Sequence, residues 1–182
     1  MVIRDRFYLD RDDAQLRDSD GEGVEFAYFT TNGNGAKHYG AEAEATWFIN
    51  KKWSINTSLG LLETDRDSYT DPRDPNPTVK SRELANAPTY TYSARIDYVA
   101  ENGFFANLEV AGSDEYYESN SHSEKRSSFA QFNGAVGYRY NNWTLTIWGR
   151  NLFDEEYEKR VFSFANEAPD YDAVTRYENP AD

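Results

Sequence analysis

The chain has 182 residues, with 32 Asp and Glu against 19 Lys and Arg, a formal charge of −13 and no cysteine. That length suits one domain. The acidity disfavours nucleic acid and anionic lipid headgroups, whose phosphates are bound by Lys and Arg, and without thiols there is no disulfide, thiolate metal site or cysteine nucleophile.

Only 38% of the residues are hydrophobic, yet 16% are aromatic. No run approaches the ~18 apolar residues of a membrane helix. This excludes helical spanning alone, because a barrel strand needs only ~9–11 alternating residues. The opening segment, MVIRDRFYLDRDD, lacks the apolar core of a secretion signal, so any signal is expected outside these residues.

In chain order, Arg4 to Arg17 alternates weakly, with Phe7 and Leu9 on one face, and reads as a strand entering a polar region. Asp18 to Gly23 (DSDGEG) reads as a short turn. Val24 to Thr31 reads as a strand, and Asn32 to Gly35 (NGNG) as the strongest turn signal. Gly40 to Ile49 sets Ala41, Ala43, Ala45, Trp47 and Ile49 against Glu42, Glu44 and Thr46. Ala and Glu also favour helix, but the alternation and the Trp-Phe-Ile close favour strand. Asn50 to Lys52 is a turn, and Trp53 to Leu61 alternates again.

Glu63 to Pro88 is a long polar connection whose prolines cannot sit in central strands. Tyr90, Tyr92, Ala94, Ile96 and Tyr98 then oppose Thr91, Ser93, Arg95 and Asp97. After a tight turn at Glu101 to Gly103, Phe104, Ala106, Leu108 and Val110 oppose Asn107 and Glu109. Ser113 to Ser127 is polar. Phe129 to Asp154 is the clearest hairpin, FAQFNGAVGYRY and WTLTIWGRNLFD joined by Asn141-Asn142, a pair that tolerates positive φ. Beyond Asp154 the chain is charged and aromatic with little alternation.

The expected fold is therefore all-β, with about eight antiparallel strands. Turns near 18–23, 50–52, 101–103 and 141–142 are short; the connections at 63–88 and 113–127 and the tail after 154 are long, and only 32–36 breaks the sorting. Short turns at one end and long loops at the other describe part of an up-and-down transmembrane β-barrel. Trp47, Trp53, Tyr98, Phe104, Tyr138, Tyr140 and Trp143 flank the short turns, as an interfacial aromatic girdle would. A soluble β-barrel or sandwich that binds a ligand, and a passive porin-like channel, remain open on these features.

Three stretches carry a family likeness. Trp148 to Tyr157 (WGRNLFDEEY) looks like the "G-x-N-L-F-D-x-x-Y" near the end of TonB-dependent outer-membrane receptor barrels. Its matching positions are Asn151, Leu152, Phe153, Asp154 and Tyr157. Tyr39 to Trp47 is similar to the family's "G-x-E-x-E" strand, and Leu84 to Tyr98 to its proline-led entry into a returning strand, of which Pro88 is present. The chain thus resembles the C-terminal part of such a receptor. The resemblance implies a Gram-negative outer-membrane location and energised uptake of a scarce nutrient, most often a ferric siderophore. It implies a plug domain and a TonB contact in an N-terminal part, and places signal, plug, early strands and last strand outside these residues.

No catalytic constellation emerges, so the reading is not an enzyme, and no cofactor is expected. His38 and His122 fall in loop-like segments and read as functionless. Asp65, Asp67, Asp71 and Asp74 could offer oxygens to calcium, but lack EF-hand spacing and read as a solvated acidic loop. Glu42, Glu44, Arg95, Asp97, Glu109, Arg139 and Arg150 lie on polar strand faces, which a barrel turns to its lumen. They read as a charge network that contributes to plug docking. Tyr69, Arg73, Tyr116, Tyr117, Arg126, Phe162, Phe164 and Tyr171 combine aromatic area with cations in long loops and are candidate contacts for a small-molecule ligand.

Overall fold

The computed structural model describes residues 2–20, 27–70, 78–118, 124–165 and 174–180. Its strands are β1 (Val2–Arg11), β2 (Gln15–Asp20), β3 (Ala27–Asn32), β4 (Ala36–Phe48), β5 (Trp53–Arg66), β6 (Tyr69–Thr70), β7 (Thr78–Val79), β8 (Tyr90–Val99), β9 (Phe104–Ser113), β10 (Tyr116–Tyr117), β11 (Lys125–Arg126), β12 (Phe129–Tyr140), β13 (Trp143–Gly149), β14 (Glu158–Ala165) and β15 (Val174–Pro180). Seven form one antiparallel sheet in the order β1-β4-β5-β8-β9-β12-β13, a meander in which each wall strand lies beside the next. The others pair as four two-stranded ribbons, β2–β3, β6–β7, β10–β11 and β14–β15. The Ala/Glu-rich stretch that could have been helical is β4, a wall strand paired on both sides.

Register sorts the side chains. Trp47, Ile55, Ile96, Leu108 and Gly134 follow one another across neighbouring strands, as do Trp53, Tyr98, Ala106, Val136 and Ile147. The opposite face carries Thr46, Asn56, Arg95, Glu109 and Asn133 in register. The apolar face is not folded inward. Among the described residues the buried hydrophobic side chains are Ala14, Ala36 and Tyr69, while Trp143 is 80% exposed and Ile147 69%. A soluble sheet would hide that face in a core; a barrel wall turns it to lipid and its polar face to the lumen.

The short turns share one end. Asn50 Oδ1 accepts from the backbone N–H of Lys52 at 2.8 Å and of Trp53 at 3.1 Å, which folds the β4–β5 turn. Gly103, at φ 98, closes β8 onto β9 and accepts from Arg139 N–H at 2.9 Å. Asn141, at φ 50, turns β12 into β13. Beside these turns the Trp53 and Tyr98 rings lie 4.6 Å apart, Phe104 faces Tyr138 and Tyr140 faces Trp143. The expected girdle therefore lies along one border of the apolar face.

The opposite end departs from the sequence reading. Asp18 to Asp20 belong to β2 rather than to a turn, and the rest of DSDGEG lies outside the described residues. The strand expected at 24–31 is β3, from Ala27 to Asn32, with Val24 to Phe26 outside the described residues, and it is not a wall strand. Arg11 faces Ala36 and Gln15 faces Asn32, so three residues intervene on each arm and the register continues. Residues 2–20 and 27–45 thus form the two arms of one long hairpin with a break at 12–14 and 33–35, closed by hydrogen bonds from Ala14 N–H to Asn34 O (3.2 Å) and from Gly33 N–H to Ala14 O (2.8 Å). NGNG marks that break instead of a turn between wall strands. Asp18 to Asp20, expected in a turn at the short-turn end, and the exception at 32–36 both lie at the long-loop end. Pairing across the hairpin outweighs the local turn preference of its Asp and Gly residues.

Three further differences are smaller. β5 runs to Arg66, beyond the expected start of the polar loop, because its last residues pair with Ala36 to Tyr39. His38 is half-buried in β4, not in a loop. The tail expected to lack alternation holds the β14–β15 ribbon, where Phe162 faces Tyr177 and Phe164 faces Thr175 with a register shift between Glu158 and Arg160. Charged residues mask the β-forming Val, Phe, Thr and Tyr there.

Space for large rings comes from glycine. Phe7 pairs with Gly40, Tyr92 with Gly112 and Phe105 with Gly137. A Cβ on Gly40 would stand 2.6 Å from Phe7 Cζ, and one on Gly112 would stand 2.6 Å from Tyr92 Oη. Each ring lies over its glycine, covering backbone that would otherwise be bare.

Candidate functional site

The polar face gathers its charges at one place. Arg95 and Asp97 are two residues apart on β8 and so share a face. Arg95 Nε donates to Asp97 Oδ1 at 2.9 Å, Nη2 lies 2.8 Å from the same oxygen, and Nη1 lies 3.8 Å from Glu109 Oε2 on β9. Asn56 Nδ2 reaches Asp97 Oδ2 at 3.4 Å and its Oδ1 accepts from Thr46 Oγ1 at 2.9 Å; Ser58 and Ser93 hydroxyls meet at 2.9 Å. An open cavity of about 460 Å³ lies over this patch, lined also by Ile3 and Glu44. The Arg95 side chain is 44% exposed and that of Asp97 25%. At such exposure an ion pair adds about 0–1 kcal/mol, so the patch sets the charge of the polar face more than it stabilises the sheet.

The other expected lumen residues stand apart. Glu42 faces Asp5 and Gly60 in register. Arg139 lies 4.5 Å from the Phe105 ring near the short-turn end, and Arg150 lies 5.5 Å from the Trp148 ring. Asn56, Ser58 and Ser93, absent from the candidates, belong to the patch. Ser93 stands at period-2 spacing with Arg95 and Asp97, and Asn56 with Ser58 on the polar face of β5; that alternation is the signal, and selecting charges alone passes over neutral hydrogen-bonding groups.

At the long-loop end the ligand candidates divide. Tyr69 is buried with Arg66 5.1 Å from its ring, so it packs the loop rather than presenting a face. Tyr116, Tyr117 and Arg126 lie on the β10–β11 ribbon, where Arg126 Nη1 donates to the Tyr116 hydroxyl. Phe162 and Phe164 occupy β14; Arg73 and Tyr171 lie outside the described residues, as do Asp71, Asp74 and His122. Two cations lie against the Tyr117 ring, Arg82 at 4.5 Å and Lys125 at 4.8 Å. Sequence reasoning missed both, because nothing in an irregular polar loop pairs residues 82 and 125 before the chain folds.

Lys125 holds its proton above the ordinary lysine value of 10.5, chiefly through its hydrogen bond to Glu115, with Glu83, Glu115 and Tyr117 adding to it against desolvation. A raised folded-state value means that this linkage is fully present below 10.5 and is lost only as pH climbs through the higher one. The contact therefore survives the whole neutral range.

The WGRNLFDEEY motif has a structural account. Asn151, at φ 49, donates from Nδ2 to Glu155 O (3.0 Å) and accepts at Oδ1 from Glu155 N–H (2.9 Å), while its own N–H donates to Asn133 Oδ1 (3.1 Å). Asp154 also takes positive φ, 55, and donates its N–H to Asn151 O at 3.0 Å. The buckled backbone folds Leu152 over Gly134 and Gly149, where a Cβ on Gly149 would be 2.6 Å from Leu152 Cδ2. Phe153 meets Phe132 edge-on at 5.0 Å and Tyr157 stacks on Phe129 at 4.2 Å. The motif ends β13 and fastens the next segment to the wall.

Known proteins share this architecture. The crystal structure of the ferric yersiniabactin uptake receptor FyuA from Yersinia pestis superposes with a TM-score of 0.71 at 16% identity, over 98% of this chain and 25% of that one. The siderophore receptor PiuA from Acinetobacter baumannii gives 0.68 at 14% identity, over 97% and 24%, and the copper transporter OprC gives 0.66 at 18%, over 86% and 23%. The chain spans about a quarter of the length of these structures. Residues 6–152 match the family described as TonB dependent receptor-like, beta-barrel. With a meander wall, an apolar outer face and that match over most of its length, the chain belongs to the TonB-dependent receptor-like β-barrel family.

Proposed function

We propose that the chain is the C-terminal part of an outer-membrane receptor that imports a scarce nutrient under TonB energisation, with a ferric siderophore as its cargo. The observation that carries this reading is a family wall whose polar face gathers Arg95, Asp97, Glu109 and Asn56 beside an open cavity. PiuA, named a siderophore receptor, and FyuA, named for uptake of ferric yersiniabactin, support the cargo; OprC, named a copper transporter, is the competing precedent. The wall itself sits in the outer membrane of a Gram-negative bacterium.

Among the described residues β1 and β13 each have a single neighbouring strand. Unpaired backbone edges are costly in lipid. We therefore place further barrel strands at these edges, toward the ~22 of the large plugged transporters, and a plug domain against the Arg95 patch. Transport in this reading is binding and gating, without covalent chemistry. The test is receptor-dependent accumulation of radiolabelled ferric siderophores by intact cells, with and without TonB. Accumulation should fall at least about tenfold without TonB, a difference of about 1.4 kcal/mol in apparent driving force. Equal accumulation in both strains would instead make this a passive porin-like channel.

The plug contact has its own test. In the intact receptor, Arg95→Glu would set a third carboxylate beside Asp97 and Glu109 and repel any plug group that pairs with them. Passive leakage of small hydrophilic solutes should rise several-fold while the barrel stays folded. Leakage equal to wild type would remove the Arg95 patch from plug docking.

A further inference from the structure

We propose that the β2–β3 hairpin and the connections that follow β5 and β9 interlock, through their described residues, into one rim segment that moves as a unit, with the Tyr117 ring as its lock. The described parts of the middle connection, 67–70 and 78–89, are fastened on both sides. Toward the first hairpin, Asp67 N–H donates to Gly35 O at 2.9 Å, and Asn34 Nδ2 donates to Ser68 O. Toward the third connection, Asn86 N–H donates to Tyr117 O at 2.8 Å. Arg82 then covers the Tyr117 ring at 4.5 Å. Lys125 reaches the same ring at 4.8 Å, and its ammonium lies 3.7 Å from Glu83 of the middle connection and 3.1 Å from Glu115 of its own.

The middle connection is also folded back on the wall. Arg66 and Arg82 exchange backbone hydrogen bonds at 3.0 and 3.2 Å, and Leu84 N–H donates to Thr64 Oγ1 at 3.0 Å. Arg66 is fully buried beneath it, with Nη2 3.3 Å from Lys80 O. Loops that open independently have few such ties and mostly solvent-facing backbone. Here the first hairpin is tied to the second connection and the second to the third, so displacing one strains its neighbour. A group that engages Tyr117, Arg82 or Lys125 then acts on all three segments.

Hydrogen exchange of the intact receptor in lipid tests this. Tyr117→Leu keeps apolar bulk but removes the surface that both cations cover. Amides of 80–86 and of 114–118 should then exchange about tenfold faster together, with those of the short turns at 50–52 and 101–103 unchanged. Faster exchange confined to 114–118 and 124–126 would overturn the proposal, because it would show loops that open separately. Arg82→Gln approaches the lock from the other loop and serves equally if Tyr117→Leu does not assemble. It should speed exchange at 114–118, and no change there would likewise overturn the proposal.

Discussion

Ile147→Arg is expected to destabilise the assembled barrel by about 2–4 kcal/mol, while Thr146→Arg, one residue away, costs about 0.5 kcal/mol or less. The two positions differ only in face. Ile147 shares the outward row with Val136, Ala106 and Tyr98, two outward positions from the Trp143 border. Thr146 faces Gly137 on the polar side. In water an arginine on an exposed strand is tolerated at either position. In lipid the outward one must bury or snorkel a guanidinium within the hydrocarbon band. Denaturant unfolding of the intact receptor in phospholipid vesicles measures both. Small and equal costs would mean that the apolar face does not meet lipid, and would return the soluble sheet to consideration.

Gly137→Val should cost about 3 kcal/mol or more, for a different reason. A Cβ at 137 would meet the Phe105 ring on one strand and stand 2.6 Å from the Leu145 carbonyl oxygen on another. The ring can rotate; the carbonyl belongs to the β12–β13 ladder and cannot. Phe105→Ala should therefore rescue the milder Gly137→Ala only in part, relieving one clash and leaving the other. The fraction of receptor that resists unfolding in SDS without heating reports the outcome. Complete rescue would show that the ring alone required the glycine.

Much of the wall was legible because period-2 alternation is local. Each arm of Phe129 to Asp154 announces its own faces, and Asn141 its own turn, before any partner is known. The grouping of Arg95, Asp97 and Glu109 was half legible: alternation gave the shared face, but only register gave the distances. Where reading failed, the deciding partner lay far along the chain. Asp18 to Asp20 look like a turn until they pair with residues 27–29. Lys125 looks like a solvated charge until residues 82, 83 and 117 arrive beside it. The sense of the NLFD stretch was likewise hidden, since Leu152 is placed by two glycines on different strands, Gly134 and Gly149.

The unbroken register of the first hairpin bears on how such a protein can diverge. Arg11 to Gln15 and Asn32 to Ala36 contribute equal numbers of residues to the break, and the same balance holds where Ser113 faces Phe129 and Tyr116 faces Arg126. Matched insertions or deletions on the two arms lengthen or shorten these projections without turning over a single side chain in the membrane. An unmatched residue would reverse every face beyond it. Descendants of this sequence can therefore vary the reach of their outer surface in paired steps, while the part that meets lipid stays the same.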